Sequence, residues 1–126
     1  MVIPLAENSL SGKAYRPSDV IKSHKGLTVE INNTDAEGRL ILADAMSWVQ
    51  SNYKVKNLIE LSTLTGACKV ALGNNYAGLF TNSEEMRRKF VENSGLFGEK
   101  IWELPLDPEI EEGLKGGYSD IVNSTR

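Results

Sequence analysis

The stretch "LTVEINNTDAEGRLILADAMSWV", residues 27–49, changes its hydrophobic period in mid-course. Leu27, Val29 and Ile31 alternate with Thr28, Glu30 and Asn32, the period of a strand with one buried face. From about Glu37 to Tyr53, two series, Ile41, Ala45, Trp48 and Leu42, Met46, Val49, recur at three- and four-residue spacing, an apolar helical stripe. A strand that feeds a helix through a polar turn is the repeating unit of α/β folds. Few other arrangements can bury both faces.

The rest of the chain continues that alternation. "DVIKS" before the turn His24-Lys25-Gly26 reads as a strand paired with the first. "KNLIELST" reads as a short strand buried on both faces, and "LTGACKVALG" as a helix closed by Gly73. "YAGLFTN" is strand-like. Ser83 then caps a helix that carries Glu84 and Glu85 in its first turn and Gly95 beyond its end. "IWELPLD" is extended, and Asp107-Pro108 opens a last short helix. The reading is one α/β segment over residues 1–126, a layered α/β/α arrangement with a mainly parallel sheet. "YSDIVNSTR" ends without a stop signal, as in a chain that is cut.

Composition narrows the chemistry. A net charge of −3 argues against a nucleic-acid partner. No apolar run approaches the ~18 residues of a membrane helix, and the first ten residues lack the basic and apolar regions of a signal peptide. One cysteine, Cys68, excludes an internal disulfide, and its apolar surroundings suit an inert thiol. One histidine, His24, sits in a turn between strands. Chemistry here must use carboxylates, Arg, Lys or backbone groups. The counts agree with a reducing compartment.

Asp35, Glu37 and Arg39 stand at alternate positions between strand and helix, with Ala36 and Gly38 as spacers. Side chains at i and i+2 converge only where backbone is extended or irregular. The two acids could then hold a divalent cation, Mg²⁺, Mn²⁺ or Zn²⁺, beside an anion pocket made by Arg39 and helix-start amides. The same string is also an ordinary helix start, where acids favour the first turn and Arg pairs with them. Spacing alone leaves both open.

"NTDAEGRL", Asn33 to Leu40, resembles the signature octapeptide of the cytosolic leucine aminopeptidase family. "RPSDVIKSHKGLTVEINNTDAEGRLILADAM" and "STLTGACKVALG…YAGLF" follow the family's order from Leu5 to Arg126. The resemblance implies a two-metal hydrolase of Mn²⁺ or Zn²⁺, cytoplasmic and homohexameric, that releases N-terminal residues, leucine-type preferred, from peptides with a free N-terminus. It assigns Asp35 and Glu37 as metal ligands, Glu37 bridging, and Arg39 as the holder of a bicarbonate general base. Amides of Ala36, Gly38 and Leu64 complete that anion site. Asn33, Thr63, Leu64 and Gly66 are implied to contact substrate. The family's lysine and further aspartate ligands have no counterpart here, and its N-terminal domain is absent. The chain alone is therefore expected to show little turnover and to expose apolar faces. A non-catalytic assembly module is the alternative.

Overall fold

The computed structural model describes residues 1–125, which form two compact units, residues 1–64 with 109–125 and residues 65–108. In the first unit, β1 (Val20–Lys22) and β2 (Thr28–Glu30) make an antiparallel hairpin, with Ile21 opposite Val29. β5 (Ile121–Val122) runs parallel to β2 on its other edge, Glu30 opposite Val122. β2 is therefore central, and the core is its Val29, 2 % exposed, with Ile31 just beyond its end, 0 % exposed. Alternation in "LTVEI" is what puts them there. Gly26, at φ 94°, lets the hairpin turn close, and the Ser23 amide donates to the Leu27 carbonyl.

A second device locks β2 to β5. Thr28 donates from both its amide and its hydroxyl to Asp120 Oδ2, each at 2.7 Å, and its hydroxyl accepts from the Asp120 amide at 2.9 Å. Those hydrogen bonds hold the Asp120 carboxyl below its ordinary value of 3.8. Helix α1 (Gly38–Asn52) follows the loop after β2. Its stripe is half-buried rather than buried, with Trp48 41 % exposed. His24 tethers the hairpin turn to it: its amide donates to Asp44 Oδ1 at 2.8 Å and its Nδ1 meets Ser47 Oγ at 2.9 Å.

The second unit holds α2 (Ala67–Leu72), β3 (Ala77–Leu79), α3 (Glu84–Ser94), a 3₁₀ turn at Gly95–Phe97 and β4 (Ile101–Glu103). β3 and β4 are parallel, Gly78 opposite Trp102. A Cβ on Gly78 would stand 3.3 Å from Cys68 Sγ and 3.2 Å from Leu104, so the missing side chain lets α2 approach the strand. Ser83 caps α3 as its sequence suggests, accepting from the Met86 amide at 3.3 Å. Gly73, at φ 74°, ends α2. Helix α4 (Pro108–Gly113) opens on proline and precedes β5.

The α/β expectation holds, with two of the three strand pairings parallel among the described residues. Two details differ. Residues 56–63, read as a doubly buried strand, form no strand, and Leu58, Ile59 and Leu61 are 43 %, 54 % and 87 % exposed. A strand exists only through its ladder partners, and no described segment pairs with this one. The short β5 went unread because two apolar residues carry no periodicity.

Candidate functional site

The loop between β2 and α1 is built by hydrogen bonds to its own backbone and to one distant residue. The Asp35 amide donates to Asn33 Oδ1 at 3.0 Å, and the Ala36 amide to the Asn33 carbonyl at 3.2 Å, closing a turn at Thr34-Asp35. Glu37 is the residue before the helix, in helical conformation, and its carbonyl accepts from Leu40 and Ile41. The segment is thus irregular at residue 35 and helical from Gly38 onward.

Side chains sort cleanly along it. Ala36 is buried, 7 % exposed. Asp35, Glu37 and Arg39 are exposed, and neither carboxylate has a hydrogen-bond or ion-pair partner among the described residues. Two unpaired oxygen donors of this kind match the donor type of a hard divalent cation. They do not match its number, since no group of three or more His, Cys, Asp or Glu gathers among the described residues. The Ala36 amide is already spent in the turn, while Gly38 opens the helix whose first N–H groups lack intrahelical acceptors. A Cβ on Gly38 would lie 2.6 Å from Leu64 Cδ2, so glycine lets Leu64 sit against the helix start. Asn33, Thr63 and Leu64 are exposed in the first unit. Gly66 stands in the second unit as the residue before α2, and Thr65 Oγ1 accepts from the Ala67 amide at 3.2 Å.

The residue that sequence reasoning missed is Asn123, 2 % exposed at the end of β5. Its Oδ1 accepts from the amides of Asn32 (3.0 Å) and Asn33 (3.2 Å), and its Nδ2 donates to the carbonyls of Asn33 (2.6 Å) and Ala36 (3.4 Å). Its own carbonyl accepts from Arg39 Nη1 at 3.1 Å. The amide side chain of Asn123 thus fastens the loop from behind, while its backbone carbonyl takes one N–H of Arg39. A lone Asn after "DIV" gives no such signal in a sequence. Tyr15 was also unread: its hydroxyl lies 3.5 Å from the Thr34 carbonyl, and burial, then the charge of Glu37, push its phenol up.

Known proteins bear on this loop. All 126 residues match the profile of the cytosol aminopeptidase family, catalytic domain. A probable cytosol aminopeptidase of Chloroherpeton thalassium is 45% identical over 122 residues, 97% of this chain and 24% of the relative. A leucine aminopeptidase 2, chloroplastic, of Oryza sativa is 46% identical over 123 residues, 98% of this chain and 20% of the relative. A lysine-to-glutamate mutant of tomato leucine aminopeptidase superposes with a TM-score of 0.89 at 42% identity, covering 95% of this chain and 24% of the tomato chain. The chain spans about a quarter of the length of the relatives it matches. Its sequence and its fold agree on one assignment: it belongs to the cytosol aminopeptidase family, as a part of that family's catalytic domain.

Proposed function

We propose that this chain is the part of a metal-dependent aminopeptidase that carries two metal-ligating carboxylates and an anion-binding arginine. The observation behind it is the loop of residues 33–39: two exposed carboxylates without hydrogen-bond or ion-pair partners among the described residues, in a loop fastened by a buried asparagine, in a chain of this family. Asp35 and Glu37 would offer oxygen ligands, and bound divalent metal would polarise a scissile carbonyl and acidify a water. Mn²⁺ and Zn²⁺ are the proposed ions. The described residues supply only part of such a shell.

Arg39 gives one N–H to the Asn123 carbonyl and keeps the rest of its fork for an oxyanion, which we take to be bicarbonate. Asn33, Thr63 and Leu64 of the first unit, and Gly66 of the second, would each contact a peptide with a free amino terminus. The proposed setting is a cytosolic homohexamer; the bacterial relatives are named cytosol aminopeptidases and the rice relative chloroplastic. No helix among the described residues is long and apolar enough to cross a membrane.

Hydrolysis of leucine p-nitroanilide with Mn²⁺ tests the reading. The 126-residue chain should release no nitroaniline above background, whereas a longer aminopeptidase containing it should, and should lose that turnover in Glu37→Gln. Full turnover of the longer Glu37→Gln enzyme would overturn the assignment. Turnover by the short chain would overturn only its expected inactivity. A non-catalytic assembly module is the second reading, favoured by the apolar surface that the chain leaves exposed; it predicts no turnover in either length.

A further inference from the structure

Glu30 and Asn32 are two residues apart on and just after β2, so their side chains share one face. That face opens into a cavity of about 540 Å³. Glu30 is 8 % exposed, yet among the described residues its Oε2 has no hydrogen-bond partner, and neither has the buried Oδ1 of Asn32. The Asn32 orientation is fixed by its other end: Nδ2 donates to the Ser124 carbonyl at 2.6 Å, an acceptor that only a donor can meet. Both vacant atoms are therefore acceptors. One belongs to a carboxylate.

Among the described residues, two groups that line the cavity already have contacts of their own. Lys115 lines the cavity, but its Nζ lies 2.6 Å from Glu112 Oε2. The Tyr118 hydroxyl contacts the Ser18 carbonyl at 3.3 Å. Burial, then the nearby charge of Glu30, push its phenol up, so the ring neighbours the carboxylate while Oε2 itself stays without a hydrogen bond among the described residues. Opposite Glu30 the wall is glycine, and a Cβ on Gly117 would stand 3.9 Å from Oε2. Bare backbone there leaves the carboxylate approachable. A buried carboxylate oxygen without a partner is costly, and a charged N–H donor is the group that best relieves it.

We propose that this cavity receives a cationic N–H donor, an ammonium or guanidinium group, held by Glu30 Oε2 and Asn32 Oδ1. The group comes from a free small cation or from an arginine or lysine side chain of a polypeptide. Neither Glu30 nor Asn32 belongs to the residues proposed above for metal, anion or substrate, so the inference stands apart from that reading.

The test follows the carboxyl ¹³C resonance of Glu30, identified by its loss in Glu30→Gln, at constant ionic strength. Methylguanidinium and methylammonium should shift it saturably, whereas tetramethylammonium, equally charged but without N–H groups, should not. N-acetyl-arginine amide binding more tightly than methylguanidinium assigns a polypeptide source, and the reverse a free cation. Gly117→Ala, which leaves Glu30 in place, should weaken the shift, and Glu30→Gln should weaken methylguanidinium binding, read on neighbouring Tyr118, roughly tenfold. Equal shifts from tetramethylammonium, or none from the N–H cations, overturn the proposal. So does Glu30→Gln binding at undiminished affinity. The comparison of cations needs no variant and so holds whether or not Glu30→Gln folds.

Discussion

Asn123 illustrates how little of a site's construction a sequence displays. Both ends of its amide are used, two acceptances at Oδ1 and two donations from Nδ2, all to the loop that carries Asp35 and Glu37. Asn123→Ala leaves the amides of Asn32 and Asn33 and the Ala36 carbonyl without that partner, and the Asn33 carbonyl with the Ala36 amide alone. The expected loss is about 3 kcal/mol, at one to three for each group left unsatisfied, less what water recovers. Urea unfolding followed by circular dichroism would read it; an unchanged midpoint would refute the clamp. The charged residues were legible because alternate acids and a guanidinium between small spacers are unusual, and the family resemblance gives them roles. Asn123 was not legible, because these partners lie 84 to 91 residues away.

At the scale of elements, periodicity served wherever an element makes its own bonds. Helices α1 and α3, the hairpin turn and the Ser83 cap all carry local signals. Residues 56–63 carry the signal of a strand and lack the ladder, since pairing is a property of neighbours. Pairing also explains a pH dependence. Asp120 is held below its ordinary value of 3.8 first by the Thr28 hydroxyl, then by the Thr28 amide. A depressed folded value means that the unfolded chain takes up the proton first as pH falls. The contribution is thus complete above about pH 4 and disappears as pH falls through the folded value. Denaturation across pH 2.5 to 6 should show this acid-side loss between β2 and β5, smaller in Thr28→Val, which keeps a β-branched strand residue. An identical profile in the two chains would refute the Thr28–Asp120 lock.

At the scale of the whole molecule, the accessible surface is 10223 Å². A folded monomer of 13.9 kDa should present about 6,700 Å². Buried apolar residues among those described are only Val29, Ile31 and Ala36, while Leu61, Phe97 and Val70 are 87 %, 80 % and 88 % exposed. Such a surface seeks cover. The chain should self-associate at micromolar concentration, with a mass by light scattering well above 13.9 kDa that falls on dilution. A constant 13.9 kDa across a hundredfold range of concentration would contradict that.

The union of β2 with β5 sets a timetable. Glu30 meets Val122 only after the intervening chain has closed a long loop, and the Asn123 latch waits on the same event. During synthesis, residues 33–39 leave the ribosome before residue 123 and remain unfastened until it has followed. A nascent chain halted before residue 123 should thus show rapid amide exchange at Asn32 and Asn33, and slow exchange once β5 has emerged.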